Sequence, residues 1–267
     1  ELEKIAKKVR RGIIEEVYSA QSGHPGGSLS VADILTVLYF NELNIDEKSP
    51  KWEERDRLVL SKGHCSPALY STLARKGYFE KERLLTFRNI ESNLQGHPDM
   101  NKVPGVDMTS GSLGQGLSVA NGMALASKLN GDGYRVYCLL GDGEIEEGQV
   151  WEAAMTSNKY KLDNLCVIVD NNNLQIDGKI EEVKGLTNIG DKFKSFGFEV
   201  LQIDGNNIEE LLNAFNVAKQ IKGRPTVIIA KTIKGKGVSF MENNKLWHQA
   251  VLSEEQYKTA YAEILNS

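Results

Sequence analysis

Long apolar runs are missing from this sequence: no stretch approaches the roughly 20 residues that a membrane-spanning helix needs. The N-terminus, ELEKIAKKVRRGIIEEV, alternates charge with apolar residues and lacks the form of a secretory signal. Cysteine is scarce. Cys65, Cys138 and Cys166 are an odd number, and the last two sit in apolar, strand-like runs. This argues against a disulfide framework and for buried thiols in a reducing compartment, which predicts a cytoplasmic protein. Positive charge is not in excess either; a net charge of −4 gives no reason to expect nucleic acid or an anionic membrane as partner. No Pro- or Ser-rich linker, low-complexity tract or internal repeat divides the 267 residues. The usual phosphate and metal motifs are absent as well: there is no GxxxxGK[ST] loop, no HExxH, and GSLGQG at 111–116 has the wrong glycine spacing for a dinucleotide fingerprint.

What is present is ordinary globular composition, 40% hydrophobic and 25% charged, in a chain long enough to bury a substantial core. Leu2, Ile5, Val9, Ile13 and Val17 fall at helical spacing. Ser30 and Asp33 form a capping-box pattern that predicts a helix start at Ser30, and Pro67 suits the first turn of another helix. Run 57–61 reads as a short strand, and 134–140, 164–170, 198–204 and 226–232 read as strands rich in β-branched residues. Helical stretches lie between the last four, around 146–160, 191–197 and 207–221, and the end of the chain, SEEQYKTAYAEIL, is amphipathic. Such alternation predicts an α/β fold: a three-layer, doubly wound, mostly parallel sheet with helices on both faces, and ligands beyond the carboxyl ends of the strands.

Two loops stand at such ends. GDGEIEEG (141–148) supplies Asp142 together with glycines that allow close backbone approach, and the helix after it would turn its amide end to an anion. DNNNLQIDG (170–178) brings an asparagine cluster thirty positions later, one helical crossover away. Adjacent parallel strands would set the two side by side. A carboxylate, an amide oxygen and a backbone carbonyl make an oxygen-only site for Mg²⁺ or Ca²⁺. With few protein charges on offer, the remaining negative charge would arrive with the ligand, and a diphosphate fits. Histidine is rare: His24, His64, His97 and His248 are the only four, three of them directly after a glycine in SGHPGG, SKGHCS and QGHPDM.

A GDG followed about thirty residues on by an NN-type loop resembles the thiamine-diphosphate fingerprint. SGHPGGSLS, DRLVLSKGHCSPALY, GHPD, TSGSLGQGLSVANGMA and IKGKGVSF all resemble the diphosphate-binding domain of the transketolase family, from about residue 10 to about residue 250. The resemblance implies the thiamine diphosphate-binding fold over 1–267 and thiamine diphosphate as cofactor, with Mg²⁺ (Ca²⁺ or Mn²⁺ as substitutes) held by Asp142, Asn172 and the Leu174 carbonyl. It implies catalytic roles for His24 and His97 at the donor sugar's hydroxyls and for His248, which with His64 would lie by the diphosphate and the reacting carbonyl. Cofactor contacts would come from His64, Gly111, Ser112, Leu113, Gly141, Gly143, Glu144, Asn172 and His248, while Glu147 matches a family acid. Gln249 departs from the glycine that usually follows the last histidine.

In that family a glutamate beside the aminopyrimidine, and most arginines for the sugar phosphate, belong to a second, pyrimidine-binding domain, for which a chain ending at Ser267 has no room. The implied protein is the N-terminal subunit of a split transketolase. It would transfer a two-carbon ketol unit from a ketose phosphate to an aldose phosphate in the pentose phosphate pathway, together with a C-terminal subunit in an α2β2 assembly. Other readings are a subunit of a 2-oxoacid dehydrogenase, a relative acting on an unusual ketose, and a non-catalytic assembly subunit. The paired GHP turns speak against the first, and the complete Asp142–Asn172 set against the last.

Overall fold

The computed structural model describes residues 1–266. Its centre is a five-stranded, wholly parallel sheet of β1 (Arg57–Leu60), β2 (Val136–Gly141), β3 (Leu165–Asn171), β4 (Glu199–Asp204) and β5 (Thr226–Lys231), in the order β1-β2-β3-β5-β4. All five predicted strands are present, with ends shifted by at most two residues. The helices are α1 (Leu2–Ala20), α2 (Pro25–Ser30), α3 (Ala32–Val37), α4 (Ser66–Lys76), α5 (Gly116–Asn130), α6 (Gly148–Lys159), α7 (Ile180–Val183), α8 (Ile189–Ser195), α9 (Ile208–Gln220) and α10 (Glu254–Asn266). None is long and apolar enough to cross a membrane.

Strand alternation divides the core in two. Tyr137 and Leu139 of β2, Cys166 and Ile168 of β3, and Ile228 and Ala230 of β5 pack on one face with α1, α3, α4, α9 and α10. Val136, Cys138 and Leu140, Val167 and Val169, and Val227 and Ile229 pack on the other with α5, α6 and α8. This is the three-layer α/β arrangement expected from the strand–helix alternation. The strands read as near-continuous apolar runs because both faces are covered. Cys65, Cys138 and Cys166 are buried and free.

One local expectation is corrected. No helix starts at Ser30: α2 ends there, and α3 begins at Ala32 with no side-chain cap. The single O–H of Ser30 instead faces both the Gly27 carbonyl (2.9 Å) and the Asp170 carboxylate (2.7 Å), and Asp33 forms a buried, two-pronged ion pair with Arg10 of α1. Bonds to distant, buried charges win over the local cap, which a sequence pattern cannot weigh.

Two glycines give opposite expectations for stability. A Cβ on Gly12 in α1 would lie 2.1 Å from Ser71 Oγ of α4, whose hydroxyl bonds the Val9 carbonyl at 2.9 Å. Gly122 in α5 has open space around it. In denaturant unfolding, Gly12→Ala should lose about 1–3 kcal/mol through overpacking, whereas Gly122→Ala should gain roughly 0.5–1 kcal/mol from helix propensity. Equal shifts would refute the close α1–α4 contact.

Candidate active site

The carboxyl ends of β1, β2 and β3 open into a cavity of about 350 Å³. Parallel pairing sets Gly141 against Asp170, so the GDG and Asn loops are neighbours, as their spacing predicts. They are also stapled together: the backbone N–H groups of Gly143 (2.9 Å) and Asn173 both donate to the Asp142 carboxylate. Asn173 takes a left-handed φ of 62° to do so, a conformation asparagine tolerates better than most residues. Burial, and then the Asp170 carboxylate, push the Asp142 carboxyl up to about 7 against the opposing pull of Lys62 and the two amides. A carboxyl held in this state gains from any cation brought beside it.

Beneath the cavity lies Asp170, the first residue of the DNNN loop, to which the sequence assigns no role. Asp170 is fully buried and receives Lys62 Nζ, the hydroxyls of Ser30 and Thr232, and Asn172 Nδ2 (3.0 Å). Burial alone would raise this carboxyl, but Lys62 and the hydroxyl donors hold it below the usual carboxylate range. For Lys62, burial pulls the ammonium down, and Asp170, with Cys65 and Asp142 adding to it, more than reverses that. A second lysine, Lys234, is also buried; its Nζ donates to the Leu174 carbonyl (3.0 Å) and meets His248 Nδ1 (3.0 Å). Burial, and then Lys62, lower it to about 8. The expectation of few protein charges is thereby corrected. Lys62 and Lys234 stand in the SKGH and IKGKG motifs, but only the fold turns both toward one cavity.

Three of the four histidines form a cluster, with ring centroids 5.3 Å apart for His24–His64, 5.6 Å for His24–His248 and 5.3 Å for His64–His248. Glycines after His24 allow this convergence. A Cβ on Gly26 would lie 2.7 Å from the Trp247 carbonyl, and one on Gly27 would lie 3.0 Å from Cys65 Sγ, so α2 can settle directly on the loops carrying His248 and His64. Desolvation leads in lowering all three rings, with neighbouring cationic groups adding to it: His24 falls to about 4, His248 to about 3, and His64 well below its ordinary value. They are neutral at physiological pH, each with one donor and one acceptor nitrogen. His97 stands apart at the exposed rim, its ring 3.4 Å from where a Cβ on Gly111 would be.

The other expected residues divide. Gly111, Leu113, Gly141, Gly143, Glu144, Glu147, Asn172 and Leu174 line the cavity, and Ser112 is exposed outside it. The Glu144 carboxylate is fully engaged, by Ser61 and by the amides of Gly114 (3.0 Å) and Gly141 (2.9 Å). That bonding shapes a single 3₁₀ turn over Glu144–Glu146. Helix α6 follows at Gly148, within two residues of the start expected from sequence, with the turn standing between it and Asp142. Among the described residues, no group of three or more His, Cys, Asp or Glu side chains is disposed to hold a metal ion. A cation here would depend on the Asp142 carboxylate, Asn172 Oδ1 and the Leu174 carbonyl, which keeps a second lone pair beside Lys234. Such a donor set suits a hard ion that brings further oxygens with its ligand.

Comparison with known proteins agrees with this geometry. Residues 2–264 match the family described as transketolase, thiamine diphosphate binding domain. The chain is 46% identical over 264 residues to a 6-deoxy-6-sulfo-D-fructose transketolase subunit of Clostridium sp. (strain MSTE9), covering 99% of this chain and 96% of that protein. It is 44% identical over 263 residues to an apulose-4-phosphate transketolase subunit of Phocaeicola vulgatus, covering 98% and 93%. The solved transketolase of Campylobacter jejuni subsp. jejuni aligns with a TM-score of 0.92 at 38% identity, over 98% of this chain but 42% of that one. The chain therefore belongs to the transketolase family and corresponds to its N-terminal, thiamine diphosphate-binding portion.

Proposed function

We propose that this chain is the diphosphate-binding subunit of a two-subunit transketolase that transfers a two-carbon ketol unit from a ketose phosphate, or a comparably anionic ketose, to an aldose phosphate. The observation that carries this reading is the convergence of Asp142, Asn172, the Leu174 carbonyl, Lys62, Lys234 and three neutral histidines on one cavity. Thiamine diphosphate, when bound, supplies an electron sink for cleavage of the carbon–carbon bond. Asp142, Asn172 and Leu174 would hold Mg²⁺ against its diphosphate, and Lys62 and Lys234 would offset the remaining charge. Gly141, Gly143, His64 and His248 would border the diphosphate, and Gly111 and Leu113 the ring system. His24, with His97 at the rim, would meet the sugar hydroxyls; a neutral imidazole can both donate to and accept from a hydroxyl, which suits proton transfer at those oxygens. The relatives named for sulfofructose and apulose 4-phosphate favour an unusual ketose as donor, so a pentose phosphate pathway role is the narrower alternative.

A partner supplying the pyrimidine-binding half is part of the proposal. Relatives of nearly the same length are named as subunits. Leu113 and Ile176 line the cavity yet are 39% and 65% exposed, and Leu246, two residues before His248, is 73% exposed. An apolar rim of this kind around a polar cavity suits a covering subunit. Two copies of each would follow the usual two-fold symmetry of oligomers.

Three outcomes are expected. Asp142→Ala should abolish binding of thiamine diphosphate with Mg²⁺, measured by calorimetry in the presence of the partner; unchanged affinity would sink the metal assignment. His24→Ala and His97→Ala should leave that affinity nearly intact while slowing transfer by about 10²–10⁴-fold, and wild-type turnover in both would refute their assignment to the sugar. The purified chain, saturated with cofactor and metal, should show no ketol transfer from xylulose 5-phosphate, sulfofructose or apulose 4-phosphate. Activity should appear as the partner is titrated in and should saturate near equal amounts. Turnover by the chain alone would refute the shared site.

A further inference from the structure

Arg88 lies between the two turns that carry His24 and His97. It takes a left-handed φ of 59°, a costly conformation for a residue with a long side chain, and its N–H closes the short loop onto the Leu94 carbonyl at 2.8 Å. Its guanidinium donates to Ser22 Oγ at 3.2 Å, two residues before His24. The same group lies flat against Gly96, the residue before His97: a Cβ there would meet Nη2 at 2.6 Å and Cζ at 2.7 Å. The preceding Phe87 is buried and packs toward Gly23, where a Cβ would lie 3.4 Å from its ring. Among the described residues Arg88 forms no ion pair, and its buried Nε has no partner. A half-buried guanidinium with no carboxylate to neutralise it is a standing positive charge.

We propose that Arg88 is a positioning residue for His24 and His97: its guanidinium ties their two turns together and keeps an unneutralised positive charge close to both rings. This rests on the transketolase reading for its catalytic meaning, though not for its geometry. The charges facing His24 are Arg88, His97 and Lys234, with the rings of His64 and His248 packed against it; His97 faces Arg88. After burial, Arg88 is the leading cause that lowers both His24 and His97. The leading cationic causes at His64 and His248 are instead Lys62 and Lys234.

The test is imidazole titration by NMR on the chain itself, whose four histidines can be assigned from single substitutions. In Arg88→Met, His24 and His97 should titrate at higher pH, closer to the ordinary 6.5, while His64 and His248 stay where they were. Arg88→Gln, which keeps a donor for Ser22 but no charge, should raise the same two. Arg88→Lys should restore both titrations without restoring the fork. In the assembled enzyme, Arg88→Met should lower kcat/KM for the ketose by up to about 10²-fold, the scale of a misplaced catalytic group, with cofactor affinity unchanged. Unmoved His24 and His97 in both Arg88→Met and Arg88→Gln, or an equal movement of all four rings, would overturn the proposal. Absence of ketol transfer in the wild type would count against the function, while the titrations would still decide the role of Arg88.

Discussion

A buried carboxylate at the end of the central strand holds the upper half of this molecule together. Asp170 draws Lys62 from the loop after β1, Ser30 from the end of α2, Thr232 from the loop after β5 and Asn172 from its own loop. A carboxylate taken out of water is tolerated only when its oxygens are saturated by donors and its charge is matched. Removing one partner of such a pair typically costs about 3–5 kcal/mol. That demand fixes where four separate segments end relative to one another. Each of those segments also carries or adjoins a cavity residue, so the cavity is a consequence of satisfying Asp170.

The second constraint is steric. The three-histidine cluster needs α2 to lie within contact of two other loops; a Cβ at Gly26 would collide with the Trp247 carbonyl, and one at Gly27 would press on Cys65. Close packing then dries the rings enough to keep them neutral, and Lys62 and Lys234 add to the effect. Structure and electrostatics therefore point the same way: cationic side chains gather on the diphosphate side, and neutral donor–acceptor rings stand where hydroxyls would arrive. Opposite this polar interior, Leu113, Ile176 and Leu246 leave an apolar margin of a kind that isolated proteins usually cover.

Much of the fold was legible in the sequence because it rests on short-range periodicity. The strand runs, the crossover helices and the side-by-side GDG and Asn loops follow from spacing of two and 3.6 residues and from the handedness of parallel connections. His24, His64, Asp142 and Asn172 could be singled out because each sits in a compact, glycine-marked motif. Tertiary structure decided the rest, since the energies involved act between residues far apart in the chain. Ser30 looked like a helix cap, but a buried carboxylate 140 positions away took its hydroxyl. Glu144 lay in the right motif, yet Ser61 and two backbone amides claimed its oxygens. Lys62 and Lys234 lie inside the SKGH and IKGKG motifs and Arg88 outside them, yet none of the three drew a role, because a lysine or arginine in a sequence is usually a solvated surface charge. Only burial and the absence or presence of a paired carboxylate made them part of the site, and both are properties of the packed chain.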